Sequence, residues 1–254
     1  MAPRADTAET WGCAMPSLPR DQLLSDLNDR IRRLEGRTLA ADRSQIDLGS
    51  AAAEDWLPEQ GLAAGSLVEL LQPADGAGAL TLALFMARRA CREGKVLVVV
   101  DPQSRFYPPA AARLGIELDR LIVVHPRTPQ DALLAVDQSL RAGAVGSVVC
   151  WPERLTTPAF RRLQLAAEVG GGLGLLLRPL GAQRAASFAA LRILVAPVAS
   201  NEAARRVRLE VLRCRGGKTG QSTILEIDDA TGDVRVPSGV AAATPGARSG
   251  EASG

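Results

Sequence analysis

Apolar residues along the chain fall into two regimes. Between Pro19 and Glu35, Leu24, Leu27, Ile31 and Leu34 recur at spacings of three, four and three, with Gly36 as a natural stop. This predicts an amphipathic helix over 18–36 with a narrow apolar seam, flanked by Arg30, Arg32, Arg33 and Arg37. A polar, alanine-rich linker follows over 37–55, and residues 1–17 carry no period. A helix set apart in this way needs a surface to cover, either its own domain or another chain.

From Gly65 onward short apolar runs alternate with stretches of helical spacing. Leu67–Leu71 reads as a strand, Ala79–Arg92 as a helix, Lys95–Val100 as a strand, Pro108–Leu114 as a short helix and Leu121–Val124 as a strand. Pro129–Ala142 (helix), Ser147–Cys150 (strand), Pro158–Val169 (helix) and Leu173–Leu177 (strand) continue the series. The strands are continuous apolar runs such as VLVVV and GLLL, the composition of a parallel sheet covered on both faces. A doubly wound α/β core over 56–235 follows. Leu191–Val195, Val207–Cys214 and Thr223–Ile227 read as antiparallel additions at one edge of that sheet. The tail over 236–254, rich in Ala, Gly, Ser and Pro, is expected to be disordered.

Composition narrows the function classes. With 254 residues and 46% apolar content a sizeable core is possible, and 3% aromatic content means that Leu, Val, Ile and Ala must build it. A net charge of +2 gives no global attraction to nucleic acid or membrane, so binding of either kind has to come from local patches. Lysine occurs only at 95 and 218, and arginine supplies the rest of the basic charge, which reads as a composition bias and carries no functional weight. Cys13, Cys91, Cys150 and Cys214 are far apart, and His125 is the single histidine, so no metal-ligand spacing is present and reduced thiols are expected. No apolar run reaches the roughly 18 residues of a membrane span. An N-terminus with Asp6 and Glu9 and no apolar core region is not a signal peptide. The expected setting is the cytoplasm.

The chemistry-bearing stretch is GLAAGSLVELLQPADGAGALTLAL, Gly61 to Leu84. A buried strand runs into a glycine-rich turn and then an apolar helix, the order that presents backbone N–H groups and a positive helix end to a phosphate. The working motif is Gly-x-x-x-x-Gly-Lys-Ser/Thr, in which Lys reaches the terminal phosphates and the hydroxyl binds Mg²⁺. Here Gln72, at the strand end, stands for the first Gly, six residues before Gly78 where the motif has five, and Gly78 is followed by Ala79 and Leu80. Gly76 as the second Gly gives no better match, since Ala77 follows it.

The order of segments resembles the RecA recombinase core over about residues 57 to 227, through GLAAGSLVELLQP, CREGKVLVVVD, AARLGIELDRLIVV and ALLAVDQSLRAGAVGSVVCW. More narrowly, LNDRIRRLEG near one end and RRVRLEVLRCRGG with LEIDDATGDVRV near the other resemble the ImuA family. These are RecA-like proteins encoded beside error-prone translesion polymerases, and they are also similar to the cell-division inhibitor SulA. The resemblance implies a RecA-like fold and locates the RecA chemical positions. The loop lysine falls at Ala79 and its Mg²⁺-binding hydroxyl at Leu80, with Thr81 adjacent. The metal-holding aspartate of the second strand falls at Trp151, and the glutamate RecA uses in hydrolysis falls at Gln103, after Asp101 and Pro102. Each lost charge-assisted hydrogen bond to phosphate gives up about 1.5–3 kcal/mol. The implied protein is therefore not an enzyme and needs no cofactor, with at most weak ATP binding through the Gly76 and Gly78 amides. An unorthodox site built from Thr81, Asp101 and a partner's basic residue is the enzymatic alternative. Asp101 reads more simply as a cap or loop acceptor, and His125 as a loop-packing residue.

The resemblance also places two single-stranded DNA loops of RecA. The first has no room here, because Trp151 leads through ERLTT into the next helix, and the second shrinks to LGAQRAAS over 180–187, with Arg184 its one cation. Direct DNA contact is expected to be weak. The densest charge comprises Arg205, Arg206, Arg208, Arg213, Arg215 and Lys218 against Glu210 alone. Alternation in a strand puts Arg213 and Arg215 on one side, extending the series Val207, Leu209, Val211. By resemblance this basic segment meets a RecA subunit. Its simpler alternative is an edge strand protected from aggregation by charge. The partners implied are RecA and the Y-family polymerase-like protein of the mutagenesis cassette, with the seam at Leu24, Leu27, Ile31 and Leu34 as one contact. The SulA likeness keeps a division-inhibitor role as a further alternative.

Overall fold

The computed structural model describes residues 45–46, 61–199, 204–228 and 234–235. The expected helix at 18–36, with its seam, and the tail at 236–254 lie outside these residues. Within the stretch read as a linker, β1 (Gln45–Ile46) pairs antiparallel with β2 (Leu62–Ala63).

The main sheet has nine strands in the order β11-β10-β9-β8-β3-β7-β6-β4-β5. These are β3 (Leu67–Gln72), β4 (Val96–Val100), β5 (Leu121–Val124), β6 (Val145–Cys150), β7 (Leu173–Pro179), β8 (Leu191–Val198), β9 (Arg205–Cys214), β10 (Ser222–Ile227) and β11 (Val234–Arg235). From β5 to β8 every neighbouring pair is parallel. β9, β10 and β11 then continue antiparallel. The central strands β3 and β6 are buried along their whole length, which is why their sequences run apolar without alternation.

Among the described residues four helices cover the sheet: α1 (Ala79–Ala90), α2 (Pro108–Arg113), α3 (Pro129–Arg141) and α4 (Thr157–Gly170). The two longer ones on one face are capped by sequence. Thr128 accepts the Asp131 N–H at 3.1 Å and Thr156 accepts the Ala159 N–H at 3.4 Å, each followed by a proline in the first turn. Val136, Leu140, Phe160 and Leu163 of these helices pack on Val98, Val148 and Leu176. On the other face Leu82, Met86 and Ala111 pack on Val68, Val99, Leu175, Ile193 and Val207.

One expectation is corrected here. β8 was expected among the antiparallel edge strands, but it lies parallel to β3, with Val68 opposite Leu191 and Leu71 opposite Leu194. The connection from Leu180 to Ala190 carries the chain back across the sheet before β8 begins, as a parallel crossover does, but with only a 3-10 turn at Leu180–Arg184 in place of a helix.

That crossover lies on a polar floor. Glu69 of β3 is fully buried, and its carboxylate accepts hydrogen bonds of 2.6 Å each from Arg178 of β7, Arg192 of β8 and the Ser187 hydroxyl. Arg192 also donates to the carbonyls of Gln183 and Ala185, and Arg178 to that of Pro152. Backbone acceptors that a helix would satisfy internally are met by guanidinium groups from the sheet.

Candidate functional site

Gln72, Asp101 and Trp151 stand at the carboxyl ends of β3, β4 and β6, the edge where open α/β sheets bind ligands. The loop after β3 turns through Gly76 and Gly78, both with positive φ, and α1 starts at Ala79 with no side-chain cap. Gly78 has φ 101°, and a Cβ there would lie 2.6 Å from the Val207 Cγ1, so glycine is required both by conformation and by the approach of β9.

The polar groups around this loop are engaged with one another. The Gln72 amide donates to Asp75 at 3.3 Å, and Asp75 forms an ion pair with Arg105 from the loop after β4. Gln103 donates to Glu153 at 3.2 Å, tying the loops after β4 and β6 together. Asp101 is buried, and its two carboxylate oxygens accept the backbone N–H groups of Gln103 at 3.2 Å and Phe106 at 2.7 Å. It therefore shapes the 101–106 loop, as the simpler expectation had it. His125 Nδ1 donates to the Asp101 carbonyl at 2.9 Å. Trp151 is half-buried and packs with Leu80 against the α1 side of the core. Thr81 accepts a hydrogen bond from Arg205 at 3.1 Å.

The basic segment does not form one surface. Arg205 lies at the loop end of β9, and Arg213 follows eight residues later, about 26 Å along an extended strand. Arg206 is held by Glu226 at 2.8 Å, and the hydrogen bonds from Arg206 keep the Glu226 carboxyl below its usual range, with Arg235 adding to the effect. The expected continuation of the Val207, Leu209, Val211 series by Arg213 and Arg215 is also corrected. The register shift that sets Ile193 opposite Val211 and Arg192 opposite Arg213 leaves Leu212 as an extra residue. Cys214 thereby takes the buried side, and Arg213 and Arg215 move to the opposite face, donating to the carbonyls of Ser187 and Phe188. Lys218 is exposed in the β9–β10 turn and Arg208 is exposed on β9.

Sequence reading missed Asp75, Arg105 and Glu153, whose loops meet only in the fold, and the Glu69 network. Among the described residues no group of acidic, histidine or cysteine side chains is arranged to hold a metal ion, and no helix is long and apolar enough to cross a membrane. Cys91, Cys150 and Cys214 are free thiols, and burial pushes Cys91 and Cys150 up to about 12, so neither is a ready nucleophile.

A mainly parallel sheet with a strand–glycine loop–helix unit at its carboxyl edge defines a RecA-like α/β protein. The chain matches the RecA N-terminal domain over residues 28–205 and belongs to that family. RecA from Colwellia psychrerythraea is 32% identical over 139 residues, covering 55% of this chain and 38% of that protein. RecA from Chlorobium limicola is 28% identical over 173 residues, covering 68% of this chain and 47% of that protein. The chain thus spans less than half the length of both relatives. The crystal structure of the RadB recombinase superposes with a TM-score of 0.60 at 13% identity, over 76% of this chain and 100% of that one, a likeness of fold.

Proposed function

We propose that this protein is a non-catalytic, ImuA-like accessory factor of DNA-damage-induced translesion synthesis that works by binding RecA, the cassette's polymerase-like partner, or both. The observation that carries the reading is the state of the phosphate-loop edge. Ala79 and Leu80 follow Gly78, and the nearby polar side chains are spent on each other, Gln72 on Asp75, Gln103 on Glu153, Asp101 on backbone amides and Thr81 on Arg205. Phosphoryl transfer is catalysed by positioning and charge, so an edge without lysine, metal ligand or base supplies neither. The fold remains as a shape that a RecA-type partner can meet, and the exposed arginines supply charge for the contact.

The test is capture of purified RecA by the full chain, with and without single-stranded DNA and with no added nucleotide. Capture that changes RecA's ATPase or strand exchange supports the reading. If RecA is neither captured nor altered in activity, and the polymerase-like protein is not captured either, the reading fails.

A further inference from the structure

Among the described residues the sheet is covered unevenly. On the side of α3 and α4, the buried cluster draws on β3, β4, β6 and β7 and contains no residue of β8, β9 or β10. On that side β9 presents Arg206, Arg208, Glu210 and Arg213, with Arg215 just past its end, while Val207, Leu209, Val211 and Cys214 on its other side are buried. Leu194 and Ala196 of β8 and Ile224 of β10 share the basic side, each half-buried. Arg206 is satisfied by Glu226. Arg208, and Arg184 on the adjoining crossover, are exposed, with no hydrogen-bond or ion-pair partner among the described residues.

Three neighbouring strands span roughly 10 Å, the diameter of one α-helix. The aliphatic positions run between the cations, and none of the three strands carries an aromatic side chain on which a base could stack. We infer that this face of β8, β9 and β10 docks an amphipathic helix of a partner protein, apolar along its seam and acidic on its flanks. The inference rests on the reading of the chain as a binding protein and deepens it: Arg184 and Arg208 carry the contact, and Arg205, Arg206, Arg213 and Arg215, engaged within the fold, do not. The crossover beside the surface is fixed by Glu69 and Arg192, so the partner meets a preorganised border.

The test uses the full chain and a labelled model peptide of about 18 residues, roughly 27 Å of helix, with leucines at spacings of three and four and glutamates on the flanks. A lysine-flanked counterpart and an oligothymidine serve as competing probes. The acidic peptide is expected to bind, and R184E/R208E to weaken it by about tenfold without lowering the melting temperature. R92E/R113E, exposed arginines outside this face, is expected to keep the original affinity. Equal binding by R184E/R208E, or by the lysine peptide, overturns the inference. So does stronger binding of oligothymidine lost in the same variant, which marks a nucleic-acid surface, or a dimer in sedimentation that the variant abolishes. If the acidic peptide binds as expected and RecA is not captured, the surface stands and the named partner falls. If RecA is captured equally by R184E/R208E and the peptide does not bind, the surface falls and the partner reading stands.

Discussion

Replacing Glu69 by glutamine keeps the shape of the side chain and removes one charge from the middle of the sheet. Glu69 is fully buried, and Arg178 and Arg192 are 3% and 9% exposed in their side chains. Glu69→Gln therefore leaves two buried guanidinium groups without their shared counter-charge and weakens the bond to Ser187. Removing one partner of a buried pair costs about 3–5 kcal/mol. For a domain of this size that lowers the melting temperature by about 6–20 °C. Apolar replacement of an ordinary buried ion triad is often neutral or stabilising. Here it is not expected to rescue, because Arg192 and Arg178 also serve the carbonyls of Gln183, Ala185 and Pro152, and each buried acceptor left unsatisfied costs about 1–3 kcal/mol. Urea unfolding followed by circular dichroism should therefore rank wild type above both Glu69→Gln and the triple variant Glu69→Leu, Arg178→Met, Arg192→Met. A Glu69→Gln protein within about 1 kcal/mol of wild type, or a triple variant more stable than wild type, would refute the view that this network supports the helix-free crossover.

The two loop glycines separate conformation from packing. Gly76→Ala, at φ 80° with open space around it, is expected to cost about 1 kcal/mol, and Gly78→Ala about 2–4 kcal/mol, because its Cβ also meets Val207. Equal losses in urea unfolding would argue against the tight seat of β9. Asp101→Ala should cost about 1–3 kcal/mol and speed amide exchange at Gln103 and Phe106. Unchanged exchange there would return Asp101 to the list of chemical candidates. Burial raises the Asp137 pKa, but hydrogen bonds from Arg162 and Arg141 outweigh it and leave the group below its usual value. Its contribution is thus present above about pH 4 and lost as pH falls through the lowered folded value. Denaturant midpoints of wild type and Asp137→Asn should accordingly converge in strong acid and separate at neutral pH, and a constant separation would contradict the assignment.

The parallel core was legible because its strands are unbroken apolar runs, and β5, Leu121–Val124, agrees with its sequence limits at both ends. Strand direction was not, since hydrophobic pattern carries no direction and a crossover without a helix reads as a loop. This is why β8 was assigned with the antiparallel strands. The single charged residues Glu69, Arg178 and Arg192 sit in three separate runs and become a network only when β7, β3 and β8 are adjacent. One extra residue at Leu212 was enough to reverse the side on which Arg213 and Arg215 lie, a change that alternation alone does not reveal. Gln72, Ala79 and Leu80 in the glycine loop are matters of residue identity and are read directly from the chain. Their neighbours' engagement, Gln103 with Glu153 and Thr81 with Arg205, depends on loops brought together by the fold.

On the proposed reading, the RecA-family fold of this chain works without phosphate chemistry. Calorimetric titration of the full chain with ATP and Mg²⁺ tests it most directly. No saturable heat is expected up to about 1 mM nucleotide, a binding free energy weaker than about −4 kcal/mol. Mg²⁺-dependent binding in the micromolar range, lost in Thr81→Ala or Asp101→Ala, would contradict it.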